Sequence, residues 1–143
     1  MNLTMASKLD LRIWLPASIA ATEEFYCSFR RQHGCMCRNG EHFVAELILR
    51  EALTNAVLHG SKADASKQIY CHIRRRGSNL TMIVRDQGEG FDWRSRSGRE
   101  ACSTAVSGRG VEIFRRYATR YRYNATGNCL AIWKKFEEET KYD

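Results

Sequence analysis

The sequence predicts an α+β fold, a two-layer sandwich of helices packed on a mostly antiparallel sheet. Three observations predict it. Apolar residues recur at period two in five short stretches and at helical period in three longer ones. The two kinds come in groups (strand, two helices, two strands, helix, two strands), not in strict alternation. Turns bearing Gly and Asn join the strands of each later pair, the signal of hairpin connection.

Each element has its own reason. In "KLDLRIWLPAS" Leu9, Leu11, Ile13 and Leu15 alternate on one strand face, and Pro16 closes the run. Residues 17–32, "ASIAATEEFYCSFRRQ", read as a helix ending near Gly34. "EHFVAELILREALTNAVLHG" predicts one long helix from Glu41 with Gly60 as its stop. Ile69, Cys71 and Ile73 alternate, Gly77-Ser78-Asn79 turns the chain, and Leu80, Met82 and Val84 alternate back. Residues 91–107 hold neither period and read as a long mobile loop, a kind that inside a compact domain is usually functional or disordered. "GRGVEIFRRYATR" reads as helix, and "YRYNATGNCLAIWKKF" as two strands around Gly127-Asn128.

The 143 residues suit a single domain, 1–143, with a core of its own. No apolar run approaches the roughly 20 residues of a membrane-spanning helix. Asp10 and Arg12 interrupt what would be a signal-peptide core, so a cytoplasmic location is expected. Of six cysteines only Cys35 and Cys37 are close; with His33 they invite a metal reading. The spacing is not a CxxC pair and no second cluster follows, which favours reduced thiols. The net charge of +7 is concentrated: between Arg94 and Arg122 stand eight arginines against Glu100 and Glu112. Such a stripe suits nucleotide phosphates, nucleic acid or an acidic protein face, and its plainer reading is a solvated surface.

Three segments carry the chemistry. On a helical wheel Val44, Ile48, Glu51, Ala52, Asn55 and His59 share an arc of about 100°. Glu51 and Asn55 therefore sit in an apolar arc, where a carboxylate needs a partner or a cavity. In "VRDQGEGFD" Asp86 ends a strand and can accept from an amine, while Gly88 and Gly90 let backbone come close to a ligand. In "SGRGVEIF" Gly108 and Gly110 open a helix, whose free N–H groups favour phosphate. Each signal is modest alone; their order and separation are more specific.

"EALTNAVLHGS", "DQGEGFD" and "SGRGVEIF" resemble the N box, G1 box and G2 box of the GHKL (Bergerat-fold) ATPases, above all the small bacterial anti-sigma-factor serine/threonine kinases. The boxes fall at residues 46–60, 84–92 and 107–114, with a lid at 93–107, and the likeness runs over residues 8–136. The resemblance implies a histidine-kinase-like sandwich, with a mixed, mostly antiparallel sheet, helices on one face and a flexible ATP lid. It implies that Glu51 is the catalytic carboxylate, and that Asn55 holds Mg²⁺ against the triphosphate of ATP. Asp86 would accept from the adenine amine, Gly88 and Gly90 would lie beside the base, and Gly108, Arg109 and Gly110 would lie at the phosphates. The family often has a Thr after the glycine before the last strand; here Gly127-Asn128-Cys129 stands instead, and Asn128 could supply the donor. His59 is expected to be structural rather than a phospho-acceptor. No helix pair with an acceptor His precedes the ATPase region, which speaks against a complete sensor histidine kinase.

The function so implied is an ATP-dependent serine/threonine protein kinase and anti-sigma factor in transcription regulation. It would bind a sigma factor or similar regulator and phosphorylate a small anti-anti-sigma-type antagonist. The alternative is a nucleotide-gated binding module without kinase activity. Direct nucleic-acid binding is not expected: the arginines coincide with the lid and the phosphate-end helix, and no base-stacking motif accompanies them. No membrane partner is expected, and a homodimer is implied by the resemblance alone.

Overall fold

The computed structural model describes residues 8–33, 40–90 and 108–136, with the side chains of 108–111 outside that description. Cys35, Cys37 and the expected lid, 93–107, lie outside the described residues.

Five strands form one sheet in the order β1-β2-β3-β5-β4: β1 (Lys8–Pro16), β2 (Gln68–Arg76), β3 (Asn79–Arg85), β4 (Arg120–Tyr123) and β5 (Cys129–Lys135). Every described pairing is antiparallel, so the expected mixed character does not appear among these strands. Pro16 is tolerated because β1 is an edge strand, where a missing N–H leaves no neighbour unpaired. The β2–β3 turn is tighter than the sequence suggested. Arg76 pairs with Asn79, so Asn79 belongs to β3 and only Gly77 and Ser78 turn the chain. Gly77 takes φ 59°, the left-handed region that glycine enters without a Cβ clash.

Alternation sorts the strands into two faces. Register aligns Ile13, Cys71, Val84, Leu130 and Tyr123 in one row, and Leu11, Ile73, Met82, Ile132 and Tyr121 in the next. This face meets helices α1 (Ile19–His33), α2 (Glu41–Asn55) and α3 (Gly108–Tyr117). Ser18 starts α1 by accepting the Ala21 N–H at 3.1 Å, satisfying one of the helix's orphan donors. Ile48, Leu49 and Leu53 of α2 and Phe114 of α3 are fully buried, and Phe114 packs on Tyr121 with ring centroids 5.6 Å apart.

Two charged clusters fix the helices. Arg75, 6% exposed, donates from Nη1 to Glu41 at 2.8 Å and from Nε to the Gly77 carbonyl at 2.9 Å, so the β2–β3 turn pins the start of α2. On the outer side Arg50 grips Glu23 through two bonds, 2.8 and 3.3 Å, and Arg30 pairs with Glu46. Burial works to raise the Glu46 pKa, but Arg30, Arg50 and His42 outweigh it and hold the carboxyl below its ordinary value. No described helix is long and apolar enough to cross a membrane.

Candidate functional site

The site grows from the end of α2. Glu51 is half-buried and Asn55, one turn on, is buried, so the polar pair does lie on a mostly enclosed arc. The Asn55 Nδ2 has no hydrogen-bond partner among the described residues. A buried donor left unmade costs about 1–3 kcal/mol, so its retention points to a ligand.

Beyond Asn55 the helix loosens into a π-helical turn, Ala56–Gly60, where Ser61 N–H reaches back to the Ala56 carbonyl at 2.8 Å. The sequence predicts one continuous helix to Gly60, and the structure departs from it here. The wider turn rotates the residues after Asn55, and His59, expected on the same arc as Asn55, is exposed. Lys62 and Ala63 then take positive φ, 53° and 56°, and reverse the chain. The turn sets Gly60 against the loop after β3. A Cβ on Gly60 would lie 2.2 Å from Asp86 Oδ2, and one on Gly88 would lie 2.0 Å from the Gly60 carbonyl oxygen. Gly90, φ 85°, has the Thr126 carbonyl oxygen 1.9 Å from where its Cβ would stand. The loop from Asp86 to Gly90 is thus clasped between the end of the π turn and the β4–β5 turn.

Asp86 is 8% exposed. Its Oδ1 accepts the Gly88 N–H at 2.7 Å, and its own N–H donates to the Asn128 carbonyl at 2.9 Å. Burial pushes its carboxyl pKa up, and the Gly88 N–H and Lys67 only partly offset this. Tyr123 has a buried hydroxyl whose pKa is raised by burial, then by Tyr121 and Asp86, which puts that phenol in the carboxylate's field.

The β4–β5 turn is built on one side chain. Asn124 Oδ1 accepts the N–H groups of Gly127, Asn128 and Cys129 at 2.8, 3.0 and 3.2 Å. Its Nδ2 donates to Asn128 Oδ1 at 2.8 Å, and Asn128 Nδ2 donates to the Gly88 carbonyl at 3.3 Å. The Asn128 donor that the sequence offers to the adenine region is spent on this loop's backbone. Gly60, Asn124 and Tyr123 escaped sequence reasoning; the one available signal was the i,i+4 spacing of Asn124 and Asn128 around a glycine.

The geometry brings Asp86, Gly88 and Gly90 together and places Glu51 and Asn55 on the adjoining helix. Gly108, Arg109 and Gly110 open α3, the helix start that the sequence predicts, and their side-chain surroundings lie outside the described residues. Among the described residues no group of three metal-binding side chains forms.

The arrangement fits a nucleotide. A buried carboxylate, with one oxygen held and its loop packed in place through glycines, suits an exocyclic amine. An enclosed amide with an unused donor suits phosphate oxygens and a hard cation. Residues 16–134 match the histidine kinase-like ATPase domain family, and the chain belongs to that family. Membership implies ATP binding. The chain is also similar to the anti-sigma F factor of Shouchella clausii (strain KSM-K16), 40% identical over 44 residues. That match spans 31% of this chain and 30% of the relative.

Proposed function

We propose that this protein is an ATP-dependent serine/threonine protein kinase and anti-sigma factor. It would phosphorylate a small anti-anti-sigma-type antagonist and bind a sigma factor or similar regulator, in the cytoplasm. The observation that carries the proposal is the pairing of two polar groups on one helix beside the Asp86 loop: half-buried Glu51, and Asn55 with its unused Nδ2. A base-binding site alone needs Asp86 and the glycines; Glu51 and Asn55 are the groups that phosphoryl transfer needs. The likeness to an anti-sigma F factor supports the choice of partner class.

In this reading ATP supplies the phosphoryl group and Mg²⁺ neutralises its charge. Asp86 would orient the base through its free oxygen. Asn55 would hold the cation through Oδ1 and turn Nδ2 to phosphate oxygen. Glu51 would accept the proton of the antagonist's Ser or Thr hydroxyl as that oxygen bonds to the γ-phosphorus and the bond from that phosphorus to the bridging oxygen breaks, releasing ADP. The catalysis is positioning and charge stabilisation more than covalent chemistry. A new phosphate on the antagonist adds nearly two negative charges, enough to remodel an interface.

The test is transfer of radiolabelled phosphate from ATP to the co-purified antagonist. Glu51→Gln should keep ATP affinity and slow transfer about a hundredfold or more, as removal of a general base does. Transfer at the wild-type rate would remove Glu51 from catalysis. ATP and regulator binding with no transfer in the wild type would instead leave a nucleotide-gated binding module.

A further inference from the structure

The face of the sheet turned away from the helices presents a separate surface. All the strand residues in the described core belong to the other face. Among the five strands the one acidic residue is Asp10. It is already engaged, by His72 at 2.7 Å and Arg12 at 3.6 Å.

Basic side chains cross this face in rows. Register aligns Arg12 with His72, Ile83, Ala131 and Arg122, and in the next row Arg74 with Thr81, Trp133 and Arg120. Arg85 continues the row of Trp14 and Tyr70, which ends at Cys129. Lys8, Arg76 and Lys135 line one margin. Adjacent strands stand about 4.8 Å apart, so cationic groups recur across this surface every strand or two. The charge separates from the nucleotide site: Arg120 and Arg122, expected to join the phosphate-end stripe, point from the far side of the sheet.

Aromatic rings are interleaved with these cations. Trp14 is 58% exposed and its ring centroid lies 5.0 Å from that of Tyr70. Arg85 sits 5.9 Å from the Tyr70 ring, and Arg120 stacks 4.2 Å over Trp133. Sheet-borne aromatics among arginines bind bases by stacking and phosphates by charge. Eight strand lysines and arginines stand on this face against Asp10 alone, a local positive excess that suits the phosphates of a nucleic acid. A second copy of this chain would bring the same cations against themselves, and like charges face to face are repelled.

We infer that the face of the sheet that no described helix covers, carrying Trp14, Tyr70 and Trp133 among arginines, binds single-stranded nucleic acid. This face stands apart from the nucleotide site, and its role does not rest on the kinase reading.

The test is fluorescence anisotropy of labelled oligo(U) and oligo(dT) titrated with the full chain at several salt concentrations. The expected result is binding that weakens linearly on a log–log salt plot, with a slope of about −0.7 per neutralised phosphate. Arg12→Ala, Arg85→Ala and Arg122→Ala should each flatten that slope. Trp14→Ala should weaken binding about tenfold with the slope unchanged, because it removes stacking and no charge. Asp86→Asn should bind the oligonucleotides as wild type does, and circular dichroism checks that each variant is folded. No binding at low salt overturns the inference, as does binding that the face variants leave intact. Loss with Asp86→Asn alone would place the oligonucleotide in the nucleotide site. Equal competition by polyglutamate, with Trp14→Ala silent, would make the partner an acidic protein. Concentration-dependent dimers that Trp14→Ala or Arg122→Ala dissolves would make it a second copy.

Discussion

Gly60 and Asp86 touch so closely that no side chain fits between them: a Cβ on Gly60 would stand 2.2 Å from Asp86 Oδ2. The contact joins the end of the helix that carries Glu51 and Asn55 to the loop that carries the Asp86 carboxylate. Gly60→Ala must push one of the two away. Overpacking of this kind costs about 1–3 kcal/mol. Thermal unfolding should show that loss in the free protein, together with a smaller stabilisation by ATP than wild type gains. A variant with wild-type melting and a wild-type ATP shift would mean that the contact does not position Asp86.

Asp86 should be a residue that the free protein would be better without. Its pKa is raised in the fold by burial, so the folded state holds the proton more tightly than the unfolded chain does. The stability given by neutral Asp86 is therefore full below the ordinary value of 3.8, and it is lost as pH rises through the raised folded value. Asn keeps the acceptor for the Gly88 N–H and carries no charge. Asp86→Asn should melt at or above the wild-type temperature at pH 7, with the difference shrinking as pH falls. A lower melting point at pH 7 would show that the carboxylate stabilises the fold.

Asn128→Ala removes the bond from Nδ2 to the Gly88 carbonyl and the partner of Asn124 Nδ2. The β4–β5 turn keeps its three Asn124 Oδ1 bonds, so the fold should survive. One neutral hydrogen bond is worth about 1 kcal/mol, so ATP affinity should fall about fivefold if that bond sets the loop. Calorimetric titration gives the answer, and unchanged affinity would make the link ornamental to binding.

Arg75 is a different kind of residue, buried by the fold and remote from chemistry. Replacing it with Ala leaves Glu41 and the Gly77 carbonyl without their described donor. Breaking a buried ion pair from one side costs about 3–5 kcal/mol. Urea unfolding should show a loss of that order, with the Glu51→Gln variant close to wild type in the same assay.

The sheet was legible because each strand buries one face, and Leu9 to Leu15 or Ile69 to Ile73 can alternate for no other reason. The site was legible in part, since Asp86, Gly88 and Gly90 are close together on one loop and Glu51 and Asn55 are one turn apart. Features set by contacts distant in sequence could not be read. Nothing in "AVLHG" signals a π turn; that turn is what delivers Gly60 to Asp86 and leaves His59 exposed. The arginines from 94 to 122 looked like one stripe along the chain. The register of β4 against β5 puts Arg120 and Arg122 on the face that no described helix covers, away from the nucleotide site.

The proposed nucleotide site depends above all on Asp86 reading adenine. The most direct measurement is calorimetric titration of ATP and of GTP, with Mg²⁺, into wild type and into Asp86→Asn. An ionised Asp86 accepts from the adenine amine, whereas guanine presents a carbonyl oxygen at the corresponding position, which a carboxylate repels. The predicted result is ATP bound and GTP bound poorly by wild type, with ATP affinity largely lost in Asp86→Asn. ATP affinity should also fall in wild type as pH drops through the raised pKa of Asp86. Equal affinity for ATP and GTP, or full ATP affinity in Asp86→Asn, would contradict it.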